Sequence, residues 1–154
     1  MKRNKVLFIV SLMLILSLVP LLNVQAGRSK LIYLDWHQVV PTGSGDPNAL
    51  GEVTINVNAG RGELCYDMRV FIYFITSDWP PTSAGIYKAA VGQNGPLVVD
   101  LNPAWGPLGD SNVSGCVNID KTLARDIQKY PTQYYVLVTD SSYPDGAIRG
   151  QLIK

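Results

Sequence analysis

The sequence Y-Y-V-L-V-T-D-S-S-Y-P-D-G-A-I-R-G-Q-L, residues 134–152, predicts a β-hairpin. It begins with a run of aromatic and β-branched residues, Tyr134–Val138, which favours a strand. The segment Ser141–Gly146 is rich in turn-forming residues. The residues after the turn alternate, with Ile148 and Leu152 on one face and polar side chains on the other. Because an isolated hairpin is only marginally stable in water, upstream strands must complete its sheet.

Strand-like segments occur at short intervals upstream of this hairpin. Gly51–Asn58 alternates apolar and polar residues, as expected of a strand with one buried face. The dipeptide Asn94-Gly95 lies between two short apolar runs and predicts a hairpin turn. The predicted strands are Ser29–Asp35, Gly51–Asn58, Glu63–Thr76, Gly85–Ala90 and Pro96–Leu101.

One segment, Asp120–Tyr130, has a helical pattern. Asp120 can cap it, Leu123 and Ile127 are four residues apart, and Pro131 follows its end. About seven or eight short strands with one short helix predict an all-β domain. We expect an antiparallel β-sandwich with Greek-key-like connections.

Residues 1–26 have the pattern of a cleaved secretory signal peptide. Met1–Lys5 is basic, Val6–Leu22 is almost wholly apolar, and small residues precede Gly27 at positions −3 and −1. We therefore expect cleavage before Gly27 and a mature domain of residues 27–154. An uncleaved membrane anchor is the alternative, and the lack of a charged stop after the apolar run favours cleavage.

The charge balance of the mature part argues against nucleic-acid binding. Ten of the 13 basic residues and all 12 acidic residues remain after cleavage, which gives a net charge of −2. The mature part, residues 27–154, contains no basic cluster. The expected location is secreted or extracellular, at the cell surface or in a periplasm-like compartment, with membrane contact only through an uncleaved signal segment.

Two cysteines, Cys65 and Cys116, lie in the mature part. An even number of cysteines in an exported chain suggests one disulfide. A reactive thiol pair and a set of metal ligands are the alternatives. The separation of the two cysteines fits no CxxC motif, and His37 is the only histidine that could join a zinc site.

Candidate catalytic and metal-binding residues are few. His37 has no cysteine or histidine at metal-ligand spacing, which favours an ordinary loop residue. The segment Asp140–Asp145 offers oxygen ligands for Ca²⁺, but its spacing matches no calcium loop and is typical of a turn. Glu63 and Asp67 lack a positioned nucleophile, so we expect a carboxylate to bond Arg149 and fix the sheet register.

The tryptophans provide the only sequence signal for ligand binding. Loop aromatics can stack on sugars or anchor a protein partner, but they can also cover the open end of a sandwich. Trp36, Trp79 and Trp105 lie in the predicted loops Trp36–Asn48, Ser77–Ala84 and Asn102–Gly115.

Five blocks follow one another along the sequence: Gly62–Tyr66, Gln93–Val99, Ser114–Val117, Tyr134–Val136 and Gly146–Leu152. Together, in this order, they resemble a CHRD domain, the module repeated in chordin and found alone in many bacterial secreted proteins. The resemblance implies an extracellular antiparallel β-sandwich, similar in outline to copper/zinc superoxide dismutase, without established enzymatic activity. It also implies that Cys65 and Cys116 are paired.

The chain departs from this family pattern at its histidines. Many members carry His-x-His before the block that starts at Gln93, and a further His after the block Tyr134–Val136. The corresponding positions are Gly85-Ile86-Tyr87 and Thr139, and the family's opening E-V-P-P is replaced by Val39–Thr42. A metal or proton-transfer role of those histidines is therefore not expected to carry over.

These observations predict a secreted, non-catalytic binding or structural module without metal or cofactor. Its partner would be an extracellular protein or a glycan. A metal-dependent extracellular enzyme of the dismutase type is one alternative, but one histidine cannot build a multi-histidine copper site. A carbohydrate-binding module is the other. Structural roles are expected for Arg149, Gly146, Asn94 and Gly95.

Overall fold

The computed structural model describes residues 29–72, 81–101, 103–106 and 112–154. The predicted signal peptide, residues 1–26, and Trp79 lie outside the described residues, so they stay predictions. Among the described residues, no helix has the length and apolar character needed to span a membrane.

The described chain forms eight strands and a nine-residue helix. Every pair of neighbouring strands is antiparallel, in the order β5-β4-β7-β8-β1-β2-β3-β6. This confirms the predicted all-β fold with one short helix. The elements are β1 Lys30–Asp35, β2 Ala49–Asn58, β3 Glu63–Ile72, β4 Ser83–Lys88, β5 Leu97–Asp100, β6 Asn112–Asn118, α1 Lys121–Lys129, β7 Tyr134–Thr139 and β8 Ile148–Gln151.

The two halves of the sheet meet where β8 pairs with β1. β5, β4, β7 and β8 form one half, and β1, β2, β3 and β6 form the other. Apolar side chains from all eight strands pack into one core, so the sheet curls until its halves face each other, as in a sandwich. One such core residue from each strand in chain order is Ile32, Val53, Leu64, Ile86, Val99, Val113, Val136 and Ile148.

Burial follows a different pattern in β2 from that in β7. Burial alternates along all ten residues of β2, so one of its faces is wet. Every residue of β7 is buried, because its outer face carries a second, smaller core. Tyr135, Leu137 and Val39 form that core, with Tyr87 and Ala89 packed against it.

The connection between β4 and β5 differs from the predicted Asn-Gly turn. The two strands do pair, but the chain reverses at Gly92, which has a φ of 75°, and Gln93 N donates to Ala90 O at 3.1 Å. Asn94 and Gly95 lie beyond this reversal. We call residues 89–96 the strap, because this segment crosses the outer face of β7 and β8.

The predicted loop Asn102–Gly115 is wrong in its last four residues. Asn112–Gly115 belongs to β6, an edge strand that pairs with β3 from Arg69↔Asn112 to Glu63↔Asn118. The alternating pattern is weak here, because only one residue of this stretch, Val113, is buried. An edge strand with few apolar residues therefore has the composition of a loop.

The helix α1 covers one end of the curled sheet. Asp120 caps it, since its Oδ1 accepts bonds from Thr122 N at 2.7 Å and Leu123 N at 3.2 Å. Ala124 and Ile127 are buried against the core. Gln128 Nε2 donates to Val57 O of β2 at 2.6 Å, so the helix is also bonded to the sheet.

Asp126 on this helix links it to the other half of the sheet. Lys88 Nζ of β4 lies 2.7 Å from Asp126 Oδ2, and the Tyr134 hydroxyl donates to the same oxygen. The hydrogen bond from Lys88, followed by the bond from Tyr134, holds the pKa of Asp126 below its ordinary value. The folded state therefore binds this proton less readily than the unfolded chain does.

We expect Asp126 to make folding sensitive to acid. With a lowered pKa, its contribution is complete above the unfolded value of about 3.9 and is lost as the pH falls through the folded value. Melting temperatures measured from pH 5.5 to pH 3 should fall less steeply for Asp126→Asn than for the wild type. Lys88→Met should flatten the same part of the curve, and parallel curves for all three proteins would contradict the assignment.

Candidate functional site

Every second connection of the chain lies at the same end of the sheet, which we call the loop end. The reason is that the strands alternate in direction along the chain. The first, third and fifth connections correspond to the three predicted tryptophan loops, except that Ser83 and Ala84 belong to β4 and Asn112–Gly115 belongs to β6. The seventh connection is the turn 140–147. The strand residues at this end are Asp35, Ala49, Ile72, Ser83, Asp100, Asn112, Thr139 and Ile148.

Asp35, Trp36 and His37 form an exposed corner of the loop end. A 3-10 turn, Trp36–Gln38, follows β1 and is capped by Asp35, whose Oδ1 lies 2.8 Å from both His37 N and His37 Nδ1. Partial burial pushes the pKa of Asp35 upward, but the bonds from the backbone and ring of His37 outweigh it and hold that pKa low. The His37 side chain is 61% exposed, and its ring lies 3.6 Å from that of Trp36.

The two described tryptophans also serve the core. Trp36 is half-buried and packs against the main core, and a Cβ placed on Gly43 would lie 3.4 Å from its Cζ3. Trp105 is likewise half-buried against that core. Its Nε1 is buried, without an acceptor among the described residues. The structure therefore brings both loops to the loop end. Each indole is partly buried by its contact with the main core, and only the rest of its surface is open to solvent.

Two buried aspartates cap turns at this end, and the backbone N–H of one of them, Asp46, also joins two loops. Asp46 is buried, its Oδ1 accepts from Asn48 N at 2.9 Å, and its own N donates to Ala147 O at 2.9 Å. Asp140 Oδ1 accepts from the backbone N of residues 142 and 143 at 2.9 and 2.7 Å. These are turn-capping roles, which the sequence analysis favoured over calcium for Asp140 and did not find for Asp46.

Arg149 is buried on the outer face of β8, with only 2% of its surface exposed. Its guanidinium carbon lies 3.5 Å from the centre of the Tyr135 ring, which stacks on Tyr87 at 5.3 Å. Burial, the largest cause, lowers the pKa of Arg149. Within the described chain its bonds go to neutral oxygens, so the expected carboxylate partner is wrong. The acceptors are Gln151 Oε1 at 3.2 Å, Ala90 O at 3.4 Å and Asn94 Oδ1 at 3.5 Å.

The strap is held on this face by polar contacts. Gln151 Nε2 donates to Ala89 O at 3.0 Å, and Asn94 Nδ2 donates to Val40 O at 3.1 Å. Gly95 N donates to the Tyr135 hydroxyl at 3.2 Å, and a Cβ on Gly95 would come within 1.9 Å of Lys88 O. Asn94 and Gly95 therefore fix the strap against its neighbours, and the chain reversal lies at Gly92 instead of at the predicted Asn-Gly turn.

The backbone conformation at Gly146, in the turn before β8, favours glycine. Its φ is 141°, and a Cβ there would lie 2.8 Å from Leu137 Cδ1. Because that backbone conformation is rare for other residues, the turn before β8 favours glycine at this position.

The positions that the family resemblance equates with histidines, Gly85, Tyr87 and Thr139, lie on the outer face of β4 and β7. Ser83 pairs with Thr139, Gly85 with Leu137 and Tyr87 with Tyr135. Thr139 Oγ1 contacts the hydroxyls of Thr82 at 2.8 Å and Ser83 at 2.7 Å. A Cβ on Gly85 would lie 2.4 Å from Leu97 Cδ1 and 3.1 Å from Val99 O, so a side chain here would have to displace the Leu97 side chain. Hydroxyl groups and aromatic rings pack at the positions where the resemblance would place histidines.

Cys65 and Cys116 form a disulfide. They are directly paired residues of β3 and β6, with Cα atoms 4.0 Å apart. The predicted bridge is confirmed, and the alternative of a free thiol pair does not hold for this structure.

A curled antiparallel sheet with a cross-strand disulfide and loops gathered at one end defines an extracellular-type β module. The family model described as "CHRD domain" matches residues 32–152, and the chain belongs to this family. The family comprises small binding-type modules and is not known to be enzymatic. No curated protein matches the chain, nor does any solved structure. The predicted likeness in outline to superoxide dismutase therefore stays a prediction.

Proposed function

We propose that this CHRD domain is a secreted, non-catalytic module that binds an extracellular protein or glycan through its loop end. One observation carries the proposal: the alternation of strand directions places the flanks of all three tryptophan loops at the same end of the sheet. Binding residues are commonly found on loops that a rigid scaffold positions.

The contacts of the loop end support a preformed surface. Residues 36–48 and the turn 140–147 are joined by the bond from Asp46 N to Ala147 O. A Cβ on Gly45 would lie 2.3 Å from the same carbonyl, so the two segments are in close contact. Little ordering would then be required when a partner binds, which favours affinity. His37 and Asp35 give this surface an exposed polar rim beside the Trp36 ring.

A catalytic function of Asp35 and His37 has weaker support than a binding function. Asp35 and His37 do form a carboxylate–imidazole pair. However, the hydrogen bonds of the described residues place no serine, threonine or cysteine nucleophile on the other ring nitrogen. Hydrogen bonding within the 3-10 turn accounts for the pair, since the same carboxylate caps the turn.

The binding proposal predicts that truncations at the loop end weaken adhesion without unfolding the domain. His37→Ala removes an exposed ring and keeps the backbone bond to Asp35, and Trp79→Ala tests the sequence prediction directly. Both should leave the melting temperature within a few degrees and reduce adhesion of the purified domain to the native cell surface. Trp105→Ala should cost stability instead, because its ring packs on the core.

The matched control is Tyr130→Ala, an exposed aromatic that follows α1 at the opposite end of the sheet. It should leave adhesion unchanged. Protease treatment of the cell surface identifies a protein partner, and glycosidase treatment identifies a glycan. Equal adhesion of the wild type, His37→Ala and Trp79→Ala would show that the loop end is not the binding surface.

The secreted location is a separate part of the proposal. A disulfide and membership of this family fit an extracellular protein. Mass determination of the protein recovered from its native host should give a chain that starts at Gly27. A chain that still carries residues 1–26 would show a retained anchor.

A further inference from the structure

We propose that the Cys65–Cys116 bridge is a reversible redox site whose dithiol form binds one thiophilic divalent metal ion, with Glu63 as third ligand. The proposal starts from three side chains that lie together on β3 and β6. One ligand atom from each of Glu63, Cys65 and Cys116 lies within 4.8 Å of the other two. Within the described chain this is the one such group of three ligand-type residues.

The strands place these ligands without help from the bridge. Glu63 and Cys65 are two residues apart on β3, so both side chains are on the same face. Cys116 is directly opposite Cys65, and the ladder continues on both sides, from Glu63↔Asn118 to Arg69↔Asn112. After the sulfur–sulfur bond opens, backbone hydrogen bonds of this ladder would keep the two thiols adjacent.

The bridge is also accessible to a reductant. Cys116 is exposed on the edge strand β6, and Cys65 and Glu63 are partly exposed. Exposed disulfides are more often the labile ones, whereas structural bridges are usually protected from exchange. The position on an edge strand leaves one side of the bridge open to a second thiol.

The chemistry requires a dithiol reductant, which the proposal names as its co-reactant. A thiolate of the reductant attacks Cys116 Sγ, the bond between the two protein sulfurs breaks, and Cys65 leaves as a thiolate. The second thiol of the reductant then displaces Cys116 and closes the reductant's own disulfide. Two electrons pass to the protein sulfurs, and the two thiol protons of the reductant balance the new thiols.

The resulting ligand set suits zinc-like ions. Zn²⁺ binds thiolate sulfur at about 2.3 Å and carboxylate oxygen at about 2.0–2.2 Å, so tetrahedral ligands lie within about 4 Å of one another. The three ligand atoms lie within 4.8 Å of one another, with the two sulfurs bonded to each other in the oxidised form. After reduction, rotation of the two cysteine side chains would have to separate the sulfurs to about 4 Å to form the site. Binding would release the thiol protons, so affinity should rise with pH. In the oxidised form both sulfurs are bonded to each other, and no site exists.

The test compares oxidised and reduced protein with Zn²⁺ and Cd²⁺ as probes. The domain is reduced with a trialkylphosphine, and circular dichroism first establishes that it is still folded. We expect the reduced protein to bind one Zn²⁺ per chain by calorimetry and to show thiolate-to-Cd²⁺ charge-transfer absorption. The oxidised protein should show neither, and Zn²⁺ should raise the melting temperature of the reduced form only.

Metal binding by single variants distinguishes the proposed ligands from neighbouring side chains. Cys116→Ser should abolish the charge-transfer band of a two-thiolate site, and Glu63→Gln should weaken Zn²⁺ binding at least about tenfold. Asp67→Asn is the matched control, because this exposed carboxylate lies on the same face of β3, on the other side of Cys65. It should bind Zn²⁺ as the wild type does.

Three results would overturn the proposal. One is a reduced domain that unfolds, because the strand ladder would then not hold the thiols in place. The second is a folded, reduced domain that takes up no stoichiometric metal. The third is equal affinity for Glu63→Gln and the wild type, which would remove the carboxylate from the site. None of these results bears on the loop end, so the binding proposal is tested independently.

Discussion

Cys65→Ser lowers the free energy of unfolding by about 4 kcal/mol, which is the largest effect that we expect from a single substitution in this chain. The bridge joins residues 51 positions apart, and closing a loop of that length restricts the unfolded chain strongly. The corresponding fall in melting temperature should exceed about 10 °C. Denaturant unfolding at one pH, analysed with a common slope, measures the difference in free energy.

Two further variants show whether the bridge itself is responsible. Cys116→Ser should cost the same amount as Cys65→Ser, because each removes the same covalent link. The double variant should cost no more than either single one, since the effects of one bond are not additive. A loss below about 1 kcal/mol in the single variants would mean that the unfolded state is not restrained by the bridge.

Gly150→Ala should destabilise the domain by about 1–3 kcal/mol or more, because it forces apart the junction between the two halves of the sheet. A Cβ at this position would lie 2.5 Å from Tyr33 O, and 2.7 Å from both Ile32 Cγ2 and Leu34 Cδ2. Side-chain rotation cannot relieve a clash with a backbone carbonyl, so β8 must move away from β1. That displacement would weaken the core that the two halves share.

The control for this substitution is Gly60→Ala in the turn between β2 and β3. A Cβ there would lie 3.4 Å from its nearest neighbour, Asn58 Oδ1, which is an ordinary contact. With no left-handed backbone to oppose it, this change should be neutral or slightly stabilising. Equal melting temperatures for Gly150→Ala and the wild type would contradict the approach of β8 to β1.

Local patterns predicted most of the secondary structure correctly. The alternation of apolar and polar residues predicted β2 correctly, because one face of that strand is buried and the other is wet along its whole length. The helix was predicted from its cap, Asp120, and from the apolar pair Leu123 and Ile127. Both signals lie within about ten consecutive residues, so they do not depend on distant parts of the chain. The edge strand β6 was partly missed at Asn112–Gly115, since an edge with little buried surface leaves a weak pattern.

Contacts between distant segments could not be derived in the same way. Arg149 has the sequence context of an exposed strand residue, and it is buried because the strap and the Tyr135 ring cover it. The Asn94-Gly95 dipeptide predicted a turn, and it instead fixes the strap against Val40 and Tyr135. Asp46 has no apolar pattern around it, and its burial comes from the turn before β8. Each outcome depends on which segments pack together.

The sequence by itself determined the antiparallel strands, the capped helix, the family and the expectation of a disulfide, because these follow from local spacing and from residue types. The tertiary structure decided where the sheet joins itself, at β8 and β1, and hence that every second connection lies at one end. It also placed Glu63 beside Cys65 and Cys116. These features are pairings across about 50–115 residues, and strand pattern specifies which face is buried without specifying which strand lies next to it.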